Sequence, residues 1–301
     1  MPAPQRAREL HPALDEYPLS LLALGARRPD PLFAFGDTPW PSAPVATVVG
    51  ARAETRYARK TCERLVAALA SAGVSVASGL ARGVDASAHR AALARGSFTV
   101  AVLGVGIDQV YPPEHASLYT AIAQRGRILS PWPAGEGVRR GRFPARNRVL
   151  AARGDVTVLV QADPMSGSRH TVKAALELGR TVCVVPWPLG HPAYEGGARW
   201  VRAEPVRVRV LTAFDEAARA AWNAWEARGR ASAPAESSKP PAEDPLPVRL
   251  LAVLGRTPRG LEALARAVDA PVGRASAALL ALELEGRVER CHGDRYRRRP
   301  R

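Results

Sequence analysis

From residue 45 to about residue 213 the chain alternates short aliphatic runs with amphipathic stretches, which restricts it to strands and helices wound around a parallel sheet. The runs at 45–49, 74–77, 99–103, 127–129, 156–160 and 181–185 are rich in Val, Ile and Leu, as strands buried on both faces require. Between the first two, Ala58, Cys62, Leu65, Val66 and Leu69 recur at helical spacing. Arg56, Arg59, Lys60, Glu63 and Arg64 fill the opposite face, and Gly73 ends this helix of residues 56–71. The expected fold class is α/β.

At 301 residues the chain has room for one large domain and one small one. Residues 1–44 are expected as an extension leading into a sheet domain of residues 45–228. Residues 229–246, rich in Pro, Ser and Ala and without apolar periodicity, read as a linker. Beyond it, three short helices at 248–254, 261–268 and 272–285 precede a small hairpin at 288–290 and 295–297, the pattern of a winged helix within residues 247–301. Its third helix offers Arg274 as its one long side chain near the start, too little to read base edges, so a protein-contact or nonspecific role is favoured. From Arg287 to Arg301 seven arginines stand against two acids.

A net charge of +15 points to a polyanionic partner. No apolar run reaches bilayer length and no signal-peptide core follows Met1, so a cytoplasmic protein without a membrane role is expected. Cys62, Cys183 and Cys291 are widely spaced and suggest neither a disulfide framework nor a metal site.

The charge is densest at Arg139-Arg140-Gly141-Arg142-Phe143-Pro144-Ala145-Arg146-Asn147-Arg148, five arginines around one aromatic ring with no acid among them. Planar guanidinium groups match phosphate oxygens and a phenyl face stacks any base, the chemistry of a single-stranded nucleic-acid site. Three further segments end strands at one edge of the sheet, where open parallel sheets bind ligands. They are Gly50-Ala51-Arg52, the stretch from Ser78, Gly79, Arg82 and Gly83 to Asp85 with His89 a turn later, and Gly104-Val105-Gly106. Their glycines allow close backbone approach, whereas Arg52 and Arg82 exceed what a structural turn needs. Asp85 and His89 are expected to share a hydrogen bond within their helix. Ser78 lacks a nucleophile elbow, and Ser166-Gly167-Ser168 is expected to cap the helix containing Thr171. No nucleotide-binding glycine fingerprint or Walker lysine is present, and no cofactor or catalytic residue is assigned.

In this order the blocks resemble the DNA-processing protein A family (DprA, also called Smf). The resemblance rests on Tyr17-Pro18, Val49-Gly50-Ala51-Arg52, the stretch from Ser78 to Asp85 with His89, and the stretch from Ala101 to Asp108 with Tyr111-Pro112. It continues through Phe143-Pro144, Arg146-Asn147-Arg148, and Ser166-Gly167-Ser168 with Thr171. It implies an extended Rossmann-like domain that binds single-stranded DNA, protects it and loads RecA recombinase during natural transformation, as a homodimer without catalytic turnover. It implies a DNA site of Arg52, Arg82, Arg140, Phe143, Arg146, Asn147 and Arg148, supported by Gly50, Ser78, Gly79, Gly83, Asp85, His89, Gly104, Gly106, Ser166, Gly167, Ser168 and Thr171. The family's amino-terminal helical domain is expected to be absent. The sequence departs from the family pattern at Ala51, His115, Gln161, Trp187 and around Gly196-Gly197-Ala198. Two other readings stand beside this one. They are a winged-helix regulator with a nucleotide-sensing sheet domain, and a nucleotide-processing enzyme, whose Pro-Gly-Gly-x-Gly-Thr loop is missing.

Overall fold

The computed structural model describes residues 7–13, 16–232, 245–255, 257–284, 286–291 and 293–299, which form two compact units divided after Arg230. The larger unit is a nine-stranded sheet. Its strands are β1 (Arg8–Leu10), β2 (Leu32–Phe35), β3 (Val45–Val49), β4 (Ser75–Ser78), β5 (Thr99–Val102), β6 (Arg127–Ser130), β7 (Val156–Leu159), β8 (Thr181–Val184) and β9 (Val208–Val210). Its helices are α1 (Arg56–Ser71), α2 (Val84–Ala94), α3 (Ala116–Arg125), α4 (Arg142–Arg153), α5 (Ser168–Glu177), α6 (Glu195–Ala203) and α7 (Asp215–Ser232).

The sheet order is β1-β2-β6-β5-β4-β3-β7-β8-β9. From β6 to β9 all pairings are parallel. The parallel part starts in the middle at β3, winds outward through β4, β5 and β6, then crosses back to β7 beside β3 and winds the other way. That reversal sets helices on both faces, and it opens crevices at the carboxyl ends of the central strands. Alternation along β3 makes the layering explicit: Val45 and Val49 enter the core shared with α4 and α5, while Ala46 and Val48 enter the core shared with α1, α2 and α7. Thr47, between them, donates its hydroxyl to Leu150 O at 2.9 Å, so the one polar side chain on the strand is buried and satisfied.

The six expected strands all form, within one residue at each end. Within residues 1–44, expected as an extension, β1 and β2 join the sheet. β2 pairs antiparallel with β6 through Phe33↔Ser130, and β1 pairs with β2. These strands lie outside the strand-and-helix alternation, joined by a 3-10 segment at Leu19–Arg27, and the connection is tied down by Tyr17, fully buried, donating to Pro29 O at 2.8 Å. The expected linker is also shorter at both ends. The alanine-rich α7 continues through Ser232, and a helix already begins at Pro245, where proline is tolerated in a first turn. Residues 233–244 of that linker lie outside the described residues.

The smaller unit contains α8 (Pro245–Val253), α9 (Leu261–Ala267), α10 (Val272–Leu284), β10 (Arg259–Gly260), β11 (Val288–Cys291) and β12 (Arg295–Arg298). Leu250, Leu264, Leu279, Val288 and Tyr296 close its core. The wing hairpin turns at Gly293 and Asp294, both at positive φ, and β10 adds a third strand that the sequence pattern does not show.

Candidate nucleic-acid interface

The strand-end glycines make room for the protein's own side chains. A Cβ on Gly104 would meet the Phe143 ring at 2.7 Å, and one on Gly79 would overlap the Arg146 guanidinium. One on Gly50 would strike Val84 at 2.6 Å. Gly83 has φ near +72° at the start of α2, where the chain passes under the backbone of Ala51 and Arg52. The sequence reading gave these glycines to ligand approach. Their role is to let α2 and α4 pack onto the strand ends.

Asp85, in the first turn of α2, bends back and accepts from the amides of Gly79 at 3.1 Å and Ala81 at 3.3 Å. It thereby fixes the loop carrying Arg82. The expected bond to His89 does not form, because the loop amides, otherwise unpaired, take the carboxylate. His89 Nδ1 lies 2.7 Å from Thr99 Oγ1, whose own hydrogen goes to Val76 O, so the imidazole donates from Nδ1 and is neutral. Burial, reinforced by its electrostatic neighbours His115 and Arg146, lowers its pKa to about 3. Ser78 is fully buried and donates to Val48 O at 2.7 Å, which removes it from nucleophilic chemistry.

The basic run divides along α4. Phe143, Arg146 and Leu150 share a helix face at spacings of three and four, and that face points inward. Arg146 is 5% exposed, and its Nη1 donates to Gly79 O at 2.5 Å and Val102 O at 2.6 Å. Burial, against the attraction of Asp85, lowers its pKa to about 10, which leaves it charged at neutral pH. Burial also raises the Asp85 carboxyl above the usual range, against the pull of Arg146 and of the backbone amides. Arg146 is thus a buttress whose charge is fixed in the wall, whereas the sequence reading made it a phosphate clamp. Arg140 and Arg148 are exposed, and Asn147 reaches Gly167 O at 3.4 Å.

Over the ends of β3, β4 and β5 lies a shallow, open cavity lined by Arg52, Arg82, Tyr111, Phe143 and Arg146 with Gly79, Gly104 and neighbouring backbone. Half-buried Phe143 forms one wall. The Tyr111 ring is centred 5.8 Å from it at 53°, and the Arg52 guanidinium lies 5.9 Å from its centroid. Four of the seven expected DNA-site residues therefore meet at one cavity. Asn147 faces the neighbouring loop with Ser166, Gly167 and Ser168, beyond the end of β7. There Ser166 and Ser168 bond each other at 2.8 Å, and Gly167, which starts α5, has no side-chain cap. The expected serine cap is reduced to a 3.4 Å contact from Ser168 N to Ser166 Oγ. Gly106 lies away from the cavity, packed against the backbone of Pro133 and Glu136.

Three residues are additions to the sequence reading. Tyr111 supplies the second ring. Glu114 binds Arg82 through its Nε, and Glu136 binds Arg142 and, at 3.9 Å, Arg139. The acid-free run thus meets its carboxylate from just upstream, a proximity that was visible in the sequence. Arg52 sits on a loop latched by Gln161, which accepts from Thr55 N at 2.9 Å and donates to Ala53 O at 3.3 Å.

A doubly wound sheet whose carboxyl edge carries arginines beside two tilted aromatic rings defines a Rossmann-type protein. Residues 10–217 match the family model of DNA recombination-mediator protein A, and residues 233–294 match that of the DprA winged helix domain. The chain belongs to the DNA recombination-mediator protein A family. It is 31% identical over 284 residues to protein Smf of Synechocystis sp., covering 85% of this chain and 70% of that one. It spans about half the length of other curated relatives that it matches. Among solved structures, DprA of Streptococcus pneumoniae aligns with a TM-score of 0.66 at 30% identity, covering 73% of this chain and 75% of that one. DNA processing protein A of Helicobacter pylori, described with a single-stranded DNA binding mode, aligns with a TM-score of 0.63 at 26% identity, covering 71% and 94%. Among the described residues no helix is long and apolar enough to cross a membrane.

Proposed function

We propose that this chain binds single-stranded DNA at the carboxyl edge of its larger sheet, protects the strand and passes it to RecA recombinase during natural transformation, without catalytic turnover. The carrying observation is the cavity in which Arg52 and Arg82 flank the Phe143 and Tyr111 rings. A base unstacked from its neighbours has a π-face for the rings, and the phosphates on either side reach the guanidinium groups. A duplex keeps its bases stacked and offers phosphates alone. The family membership and the single-strand binding described for the Helicobacter pylori protein support the same reading. Arg140, Asn147 and Arg148 then extend the phosphate track along α4. A homodimer and a cytoplasmic location belong to the same proposal.

Titration of labelled single-stranded and duplex oligonucleotides over a salt series tests it. Single strands should bind more tightly, with log affinity falling linearly against log salt concentration. Equal affinity for duplex would reject the reading. RecA filament assembly on strands coated with this protein tests the second step, and no acceleration over bare strands would reject the loading role.

A further inference from the structure

The arginines of the rim fall into two states. Arg52, Arg140 and Arg148 are exposed, and no carboxylate among the described residues pairs with them. Arg82 and Arg139, likewise exposed, are held by the acids Glu114 and Glu136, while Arg142, nearly buried over Trp132, anchors Glu136 from below. These pairs are built into the loops. Glu114 sits in the 3-10 turn Pro113–His115, and His115 Nδ1 lies 3.0 Å from the carbonyl of Leu80, two residues before Arg82. One contact thus joins the segments that carry both partners. Glu136 is fixed by its backbone: its carbonyl accepts from Gly106 N at 2.6 Å, and the preceding Gly135 N donates to Asp108 at 2.9 Å. Hydrogen bonds from Arg82 and Arg142 hold the two carboxyls below the usual range, so both are ionised at neutral pH.

We propose that Glu114 and Glu136 limit the affinity of this site, their carboxylates occupying the exposed Arg82 and Arg139 in the free protein as stand-ins for phosphate that an incoming DNA strand displaces. The inference rests on the single-strand reading above. A carboxylate and a phosphate compete for the same guanidinium donors. The displaced acid stays at the rim, because its backbone is pinned there, and it keeps competing for the guanidinium that the arriving phosphate must win. The bound strand is consequently held less tightly than the number of arginines suggests, which suits a protein that must give its strand up.

The test is fluorescence anisotropy of a labelled single-stranded oligonucleotide with the full chain, over a salt series, for wild type, Glu114→Gln, Glu136→Gln, Arg82→Gln and Arg82→Gln with Glu114→Gln. Glu114 and Arg82 are 49% and 61% exposed, so these variants keep the fold. Freeing Arg82 from its carboxylate contact in a largely aqueous dielectric should let Glu114→Gln bind about fivefold more tightly. The salt slope should steepen by about 0.7, the value of one further neutralised phosphate on a single strand. Glu136→Gln should act in the same direction. In the Arg82→Gln background the Glu114 substitution should lose most of its effect. Unchanged or weaker binding by Glu114→Gln overturns the proposal, as does equal tightening with and without Arg82. Failure of wild type to prefer single strands would instead overturn the functional reading on which the proposal rests.

Discussion

The rim and the floor of the cavity use the same side chain for different work. Arg82 at the rim is 61% exposed and free to exchange partners, while Arg146 in the floor is 5% exposed and bound to two carbonyls. A solvated guanidinium costs little to hold and contributes little until a ligand arrives. A buried one must be paired and hydrogen-bonded or it destabilises the fold. Substitutions in the floor should therefore move stability, and substitutions at the rim should move affinity and its salt dependence.

The largest effect belongs to the floor. Arg146→Leu leaves Asp85 buried without its counter-charge and two carbonyls without a donor, and should cost about 3–5 kcal/mol of unfolding free energy. Arg146→Glu, adding a second carboxylate, should not fold. Denaturant titration measures both, and Arg82→Leu should show an unchanged midpoint. Equal destabilisation by Arg82→Leu and Arg146→Leu would erase the distinction between the two regions.

Next in size is Phe143→Ala. Its loss removes the stacking wall, worth about 1–3 kcal/mol per base, so single-strand affinity should fall roughly tenfold to hundredfold. The salt slope should stay as it was, because no charge is removed. A changed slope with unchanged affinity at low salt would mean that the ring does not touch the bases.

The floor also predicts acid sensitivity. His89 is buried and neutral with its pKa lowered to about 3, against an ordinary 6.5 in the unfolded chain. The unfolded state then binds the extra proton first. The stabilising contribution is full above pH 6.5 and is lost as pH falls toward 3, by up to about 1.4 kcal/mol per pH unit. Asp85, whose carboxyl is raised by burial, contributes with the opposite sign, so the informative quantity is the difference from His89→Gln. That variant should show a shallower loss of stability between pH 6 and pH 4, and parallel curves would contradict a neutral buried imidazole.

Much of this was legible in the chain. The aliphatic runs located the central strands because burial on both faces leaves an uninterrupted apolar signature. The cavity residues Arg52, Arg82 and Phe143 were legible because arginine has no structural use at a strand-end turn, and an aromatic ring is out of place in a purely solubilising run. The burial of Arg146 was not read, although its spacing from Phe143 and Leu150 carries it, because charge was weighed over the whole run without resolving helical phase. The bond between His89 and Thr99 joins a helix to the next strand, and sequence spacing does not report such a contact. Strand β1 has only three residues, and β2 follows a 3-10 segment, outside the strand-and-helix alternation that marks the other strands.

The smallest effect lies where rim and floor meet. Gln161 uses both ends of its amide, the oxygen accepting from Thr55 and the nitrogen donating to Ala53 O. A carboxylate at this position could take the first bond but has no hydrogen for the second. Gln161→Glu should therefore loosen the loop of Arg52 without removing it, weakening single-strand binding about threefold and, because position 161 is buried, lowering the denaturation midpoint as well. The same substitution in an Arg52→Gln background should then change affinity by no more than the added charge does through screening. If Gln161→Glu lowers affinity equally with and without Arg52, the residue acts on the whole rim as a charge, and the latch described here does not position Arg52.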